Sequence, residues 1–387
     1  MISLLQRYIA DKLTGLRPPY LQRKRKAYGN VLQQKSMVKI ATFTNKENTI
    51  MQQKYPFPKV ELHLHLDGSI PPKTMWELAK KEQIPLPAAT LEDFCSWLKT
   101  TSDCGSVNEY LERFELPLQM LQSRENLALA THDLILELSR QGYGYAEIRF
   151  APQLHCKLGL TQRDVVEAVL KGREKALEAC PALKIGILLC AMSLGPETLN
   201  MEENLETVRL TKEYLGKGVV GCDLAGAEGI VPLHSFHPVF DLARELEVPF
   251  TCHAGDSQGP DTVLDALNFG ARRIGHGHHL YDAPELWARV RDSGVTLEIC
   301  PTSNIQCKTQ PSYREHPAKK LLDAGIRITI NTDNMALAAV TLEQEYDHCL
   351  EEMGFTLSDV ISMNRTAAEA SFLPEAEKAE LLKALQG

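Results

Sequence analysis

The stretch "VELHLHLDGS", residues 60–69, decides how the rest of the chain is interpreted. Its β-type run carries His63 and His65, which are separated by one residue and so point to the same side of a strand. Such a pair presents two imidazoles to one point in space. On its own it leaves two interpretations open, a pair of ligands for one metal ion or a pair of hydrogen-bonded core histidines.

Seven further β-type runs follow this strand. They are "YAEIRFA" (145–151), "KIGILLCAM" (184–192), "VVGCDLAG" (219–226), "PFTCHAG" (249–255), "RRIGHG" (272–277), "VTLEICPTS" (295–303) and "IRITINTD" (326–333). Helical patterns such as residues 162–180 and 237–247 lie between them, with apolar residues every three or four positions. Strands that alternate with helices indicate a parallel sheet, and eight such strands close into a barrel. We therefore predict an α/β fold, a (β/α)8 TIM-type barrel.

An open doubly wound sheet is the alternative fold. It requires a glycine-rich phosphate-binding turn after the first strand, and "HLHLDGSIPP" (63–72) is not such a turn.

Two segments extend the plain barrel. Residues 86–135 are mostly helical and too long for an ordinary connection, so we predict a helical insertion after strand 1. Extra C-terminal helices follow Val340; we expect two, of which residues 372–385 are the clearest.

Residues 1–54 form a separate basic extension, which we expect to be disordered. Residues 1–50 carry ten Lys and Arg against Asp11 and Glu47, a net charge of +8 in a chain whose total is −8. A transit peptide, a nucleic-acid-binding arm and an extension without function all fit this composition. The segment lacks a clear amphipathic targeting pattern, which favours the last, and we expect no nucleic-acid partner.

The composition of the whole chain is that of an ordinary soluble protein, with 44% hydrophobic and 24% charged residues. The longest apolar run, residues 185–192, is far shorter than the ~20 residues of a membrane helix, so no membrane association is expected. Ten cysteines occur without a CxxC pair. Scattered thiols on apolar segments indicate reduced cysteines and a cytoplasmic location.

Polar side chains stand where several predicted strands end. Besides the first strand, these are His253 on the fifth, His276 on the sixth and Asp333 on the eighth. Barrel enzymes build their sites at the C-terminal ends of the strands, so we expect these groups to meet. Three imidazoles and one carboxylate suit zinc with an open position for water, although iron or cobalt fit as well. The pattern favours a hydrolytic metal site, and it contains neither an HExxH motif nor the HxE and PCxxC motifs of cytidine-type deaminases.

Six motifs in the sequence carry a resemblance to a known protein family. They are "VELHLHLDGS" (60–69), "DLAGAE" (223–228), "HAGD" (253–256), "RIGHGHH" (273–279), "CPTSN" (300–304) and "INTDN" (330–334). In order and spacing they resemble the adenosine deaminase family, and the resemblance covers about residues 55–387 as one metal-dependent deaminase barrel. It implies hydrolytic replacement of the 6-amino group of a purine nucleoside, the expected small-molecule partner, with one Zn²⁺ per chain.

The resemblance also implies a role for each matching residue. His63, His65, His253 and Asp333 would hold the zinc ion. Asp256 would protonate ring nitrogen N1, and His276 would orient or deprotonate the attacking water. The substrate-binding set would be Asp67 on the ribose 5′-hydroxyl, Gly226 through its backbone N–H on purine N3, and Asn334 on purine N7. His278, His279 and Asn304 are expected near the site without a role in the chemistry.

Three residues depart from the family pattern: Asp256, Asn334 and Ala227, of which the last removes a carboxylate near the purine edge. Asp256 stands where the family usually has glutamate, and its side chain is shorter by roughly 1.3–1.5 Å. Asn334 replaces a second aspartate, but an amide donates a hydrogen bond without needing to be protonated. Asp67 is retained, and a carboxylate there repels a 5′-phosphate, which favours a nucleoside over AMP or free adenine. The shorter acid leaves two alternatives: a deaminase of adenine or another amino-heterocycle, and a nucleoside-binding protein that is catalytically weak.

Overall fold

The computed structural model describes residues 54–105, 107–195 and 198–385. Apart from Lys54, the predicted basic extension lies outside these residues. Lys54 pairs with Asp347 at 2.6 Å, on a helix near the C-terminus. Within the described residues, no helix is both long and apolar enough to cross a bilayer.

Eight parallel strands form the centre of the molecule. They are β1 (Lys59–His65), β2 (Tyr143–Phe150), β3 (Lys184–Ser193), β4 (Val219–Gly226), β5 (Thr251–Ala254), β6 (Arg273–His276), β7 (Thr296–Ile299) and β8 (Arg327–Ile330). Each predicted strand is present. Strands β1–β4 pair in sequence order, and so do strands β5–β8.

Two parallel bridges join these two groups of strands. Cys222 in β4 pairs with Phe250 just before β5, and Leu64 in β1 pairs with Asp333 just after β8. The second bridge is strong, because the Asp333 N–H donates to the His63 carbonyl and the His65 N–H donates to the Asp333 carbonyl, both at 2.8 Å. The strands thus follow one another around a ring, and the (β/α)8 TIM-type fold predicted from sequence is confirmed.

Sixteen α-helices accompany the strands in the described part of the chain. They are α1 (Leu66–Ser69), α2 (Pro72–Glu82), α3 (Leu91–Thr100), α4 (Val107–Glu112), α5 (Glu115–Met120), α6 (Arg124–Arg140), α7 (Gln162–Ala179), α8 (Met201–Tyr214), α9 (His237–Glu245), α10 (Pro260–Phe269), α11 (Trp287–Ser293), α12 (Pro301–Gln306), α13 (Ala318–Asp323), α14 (Leu342–Glu351), α15 (Leu357–Ala370) and α16 (Glu375–Ala384). Several begin at a threonine whose side chain caps the first turn. Thr161 and Asp164 form a reciprocal capping box at α7, for example.

The insertion after strand 1 is helical, as predicted, and consists of α2–α5 followed by the long α6. The link between α4 and α5 reaches the strand ends, where the centre of the Phe114 ring lies 6.4 Å from the centre of the His65 ring. The backbone N–H of Cys104 donates to the Gln306 carbonyl at 3.2 Å, which connects the insertion to α12. The inserted helices therefore cover the C-terminal end of the barrel.

Two local predictions are wrong. Three helices follow Val340 instead of two, because the chain turns at Gly354 (φ 78°) and Thr356 caps a new helix, α15. Strand β7 ends at Ile299, whereas the predicted run continued to residue 303. Pro301, whose missing N–H and fixed φ suit a first helical turn, starts α12 instead.

Candidate active site

Three histidines converge at the C-terminal end of the barrel. His63 and His65 come from β1 and His253 from β5, and one ring nitrogen of each lies within 4.8 Å of the others. The Nε2 atoms of His65 and His253 are 3.4 Å apart. His63 Nε2 is buried and has no hydrogen-bond partner among the described residues. The structure thus brings together the three imidazoles that the sequence analysis selected.

Asp333 adds a carboxylate to this cluster. Its Oδ1 lies 3.3 Å from His65 Nε2 and 3.5 Å from His63 Nε2, while its Oδ2 accepts a hydrogen bond from Ser303 Oγ at 2.7 Å. Asp333 has a φ of 60°, a left-handed conformation that is uncommon for a residue with a side chain. The bridge to β1 holds it there. Burial would raise the pKa of Asp333, but the nearby histidines outweigh it and keep the pKa well below the usual range.

A second layer of carboxylates orients the imidazoles. Glu298 Oε2 lies 2.8 Å from His63 Nδ1, and Asp223 Oδ2 lies 3.0 Å from His253 Nδ1. Each carboxylate accepts a hydrogen bond from Nδ1–H, so in the neutral ring the Nε2 lone pairs of His63 and His253 face the common centre. The Nε2 atoms of His65 and His253, 3.4 Å apart, are close enough to share one cation or one proton. This orientation is typical of metal-ligating histidines, and the donor set fits a divalent ion such as zinc.

Burial keeps two of these rings in the neutral form that binds metals. It lowers the pKa of His63 to about 4 and the pKa of His65 well below its ordinary value. For His253, burial acts in the same direction, but the neighbouring Asp223 carboxylate outweighs it and the pKa is raised. A positive ion at the centre would take the place of a proton on that ring.

The carboxylates are themselves part of a buried charged network that the sequence analysis missed. Arg149 donates to Asp223 at 2.9 Å and to Glu298 at 2.7 Å. Arg273 donates to Glu298 at 2.6 Å and also pairs with Glu147. All five side chains are fully buried. A signal was present, because these charges occupy apolar strand patterns where an unpaired charge is costly.

Asp256 lies beside this cluster and is largely buried. Its Oδ1 accepts a hydrogen bond from Asn304 Nδ2 at 2.8 Å and stands 3.6 Å from His276 Nδ1. Burial raises the pKa of its carboxyl group above the ordinary value. A carboxylic acid whose pKa is raised holds its proton closer to neutral pH, as a general acid requires.

Glu228 determines where the backbone of Asp256 lies. One of its carboxylate oxygens accepts the N–H groups of Asp256, Ser257 and Gln258 at 3.0, 2.7 and 3.0 Å. The other accepts the Gly255 N–H at 2.6 Å. Four consecutive amides on one carboxylate hold the loop after β5 in a single position. Sequence reasoning quoted Glu228 within a motif but assigned it no role.

His276 ends β6 with a φ of 60°, followed by Gly277 at 69°. Its ring lies 4.9 Å from the His63 ring and 5.4 Å from the His253 ring, centre to centre. Its Nδ1 is 3.1 Å from Asn304 Nδ2. The sequence analysis expected no role for Asn304, yet the structure places this side chain against both Asp256 and His276.

The three predicted substrate-binding residues lie at or just beyond the C-terminal ends of β1, β4 and β8. Asp67 is buried in α1, directly after the two β1 histidines, and burial raises the pKa of its carboxyl group to about 7. Gly226 ends β4 with a φ of 109°, and a Cβ atom there would come within 2.5 Å of the Ser193 carbonyl oxygen. Asn334 is buried next to Asp333, and its Oδ1 has no hydrogen-bond partner among the described residues.

Comparison with known proteins places this geometry in a family. The Adenosine deaminase family profile matches residues 58–387. An adenosine deaminase from Haemophilus ducreyi is 41% identical over 330 residues, 84% of this chain and 95% of the relative. An Arabidopsis N6-methyl-AMP deaminase has a similar structure, with TM-score 0.74 and 26% identity over 85% of this chain and 98% of the other.

An adenine deaminase from Arthrobacter aurescens shares the fold, with TM-score 0.76 and 22% identity over 85% of this chain and 98% of the other. The family profile covers every strand of the barrel and all of the convergent side chains, and the H. ducreyi relative aligns over 330 residues. The chain therefore belongs to the adenosine deaminase family, and it is a hydrolase that acts on carbon–nitrogen bonds.

Proposed function

We propose that this protein is a zinc-dependent deaminase that converts adenosine, or a close 6-aminopurine nucleoside, to inosine and ammonia. The observation that carries the proposal is the convergence of three imidazoles and Asp333 beside a buried acid, Asp256. Zinc would be held by His63, His65, His253 and Asp333. When bound, a divalent ion lowers the pKa of a coordinated water toward about 7, which makes hydroxide available at neutral pH.

The protein's own side chains supply the remaining chemistry. Attack at C6 of the purine places charge on the ring unless N1 is protonated at the same time. Asp256 donates that proton, and its raised pKa keeps the proton available near neutral pH. His276 lies between Asp256 and the metal ligands, where it orients the attacking water. Proton and nucleophile thus reach opposite ends of the same C=N bond.

Three contacts would select a nucleoside. Asp67 accepts a hydrogen bond from the ribose 5′-hydroxyl, and in its ionised form it repels a 5′-phosphate. The backbone N–H of Gly226 donates to N3 of the purine, with no Cβ in the way. Asn334 donates to N7 through its Nδ2 group. Its buried Oδ1 has no hydrogen-bond partner among the described residues, so it can accept from a further polar group.

A second candidate is a deaminase of adenine or of another amino-heterocycle. The short side chain of Asp256 favours it, because an acid with less reach suits a differently placed ring. Structural neighbours act on adenine and on N6-methyl-AMP. A nucleoside-binding protein with little catalysis is the third possibility that the aspartate leaves open.

Metal removal and reconstitution test the proposal. Purified protein is stripped with a chelator, reloaded with one equivalent of zinc, and mixed with adenosine while inosine and ammonia are measured. We expect activity to disappear on stripping and to return with zinc. The proposal is wrong if zinc-loaded protein releases no ammonia from any 6-aminopurine nucleoside, or if the stripped protein is equally active.

A further inference from the structure

Asn304 is fully buried in α12 and touches both residues proposed for proton handling. Its Nδ2 lies 2.8 Å from Asp256 Oδ1 and 3.1 Å from His276 Nδ1. Its Oδ1 lies 3.2 Å from His316 Nε2. An amide has two N–H donors and a carbonyl acceptor, so this one side chain has a partner for each of its hydrogen-bonding groups.

His316 fixes which way the amide points. The backbone N–H of Ala318 donates to His316 Nδ1 at 3.2 Å, so the ring proton must sit on Nε2. Burial lowers the pKa of His316 to about 3, which keeps the ring neutral with a single proton. The Nε2–H donates to Asn304 Oδ1, and a flipped amide would face this donor with another donor. Asn304 therefore has one orientation, with Nδ2 toward Asp256.

This orientation also determines where the acid carries its proton. Asp256 Oδ1 accepts from Asn304, and Thr309 Oγ1 stands 3.3 Å from the same oxygen. An oxygen that accepts a donated N–H is the carbonyl-type oxygen of a neutral carboxylic acid. The proton then resides on Oδ2, which has no hydrogen-bond partner among the described residues. Oδ2 is thus the oxygen that can donate outward.

We propose that Asn304, whose orientation is fixed by His316, is a positioning residue. It holds the carboxyl group of the short acid Asp256 at a fixed position relative to the His276 ring. The inference rests on the proposed deamination. The shorter side chain works here because its carboxyl group is fixed in place by Asn304 while its backbone is fixed by Glu228. Without Asn304, the carboxyl group would rotate and its proton would no longer be directed to the substrate.

Asn304→Asp is the decisive variant, since it keeps the shape of the side chain and removes both donors. We expect kcat for adenosine to fall by roughly 100-fold, the loss typical of a misplaced catalytic group, with the Kd for inosine and the zinc content nearly unchanged. Asn364→Asp is the matched control. Asn364 is a buried asparagine that bonds Val60 and Pro58, away from the site, and its conversion should leave kcat intact.

His316 gives an independent variant pair. His316→Gln retains a donor for Asn304 and should keep kcat within about 10-fold, whereas His316→Leu removes the donor and should reduce kcat more strongly. A kcat for Asn304→Asp within about threefold of the parent, or equal effects of both His316 variants, would overturn the proposal. Folding is checked by thermal denaturation and zinc content of each variant.

Nuclear magnetic resonance of ¹⁵N-histidine-labelled parent protein separates this proposal from the proposed function. We expect His316 to be a neutral ring protonated at Nε2, a result that needs no turnover. A ring protonated at Nδ1 refutes the positioning network even in an active enzyme. Parent protein that shows the expected tautomer but deaminates no nucleoside refutes the proposed function while leaving the network established.

Discussion

Lengthening or neutralising Asp256 tests the assignment of the general acid. In the structure its carboxyl group already reaches Asn304 at 2.8 Å, and its backbone N–H is held by Glu228 at 3.0 Å. Asp256→Glu adds one methylene and pushes the carboxyl group roughly 1.3 Å beyond this position. Because the backbone cannot retreat, the variant loses the Asn304 contact. We expect kcat to fall by about 10- to 100-fold, and not to rise toward that of glutamate-bearing relatives.

Asp256→Asn keeps the shape and the acceptor oxygen but removes the proton. We expect kcat to fall by about 100- to 10,000-fold, the usual contribution of general acid–base catalysis, with little change in inosine binding. The assay follows the change in absorbance as adenosine becomes inosine. Asp282→Asn is the control, an exposed aspartate paired with His279. The reasoning fails if Asp256→Glu is faster than the parent, or if Asp256→Asn retains a tenth of the activity.

Three further changes probe the surroundings of the site. Glu298→Gln weakens the bonds to Arg149, Arg273 and His63. We expect the unfolding free energy, measured by urea titration, to fall by about 3–5 kcal/mol, and zinc binding, measured by metal competition, to weaken by about 10- to 100-fold. Values equal to those of the parent in both measurements would contradict this. Gly68→Ala places a Cβ 1.8 Å from Asn334 Oδ1 and should raise KM for adenosine by about 10-fold, whereas Gly259→Ala, with no atom within 4 Å, should not. Burial raises the pKa of Glu345 from 4.5 to about 8, because the buried side chain is more stable protonated. Its contribution to the unfolding free energy of the parent is therefore highest at low pH and falls as pH rises from 4.5 through 8. Glu345→Gln should therefore match the parent near about pH 3 and be more stable by on the order of 4 kcal/mol near about pH 9, and a pH-independent difference would contradict the raised pKa.

The barrel and the proposed metal ligands were accessible to sequence reasoning for one physical reason. Parallel strands place all their C-terminal ends on the same rim, so polar residues at those ends, such as His63, His253 and Asp333, must meet. The periodicity that identifies a strand also identifies its inward face, and His63 and His65 therefore came as a pair. No contact between distant elements had to be known.

The rest of the site depends on contacts that periodicity does not encode. Asn304 directly followed a predicted strand, residues 295–303, but Pro301 begins a helix there, and only the helix turns the amide toward Asp256. Glu228 holds a loop some thirty residues further along the chain, which no local pattern indicates. The buried Arg149 network was visible as charges within strands. It was overlooked because its pairing crosses β2, β4, β6 and β7.

Substrate preference decides whether the site is built for a nucleoside. Zinc-loaded protein is assayed for kcat/KM with adenosine, adenine, AMP and N6-methyl-AMP under identical conditions. We expect adenosine to be the best of the four, because Asp67 accepts a ribose hydroxyl and repels a phosphate. A higher kcat/KM for adenine, or for either nucleotide, would contradict this expectation.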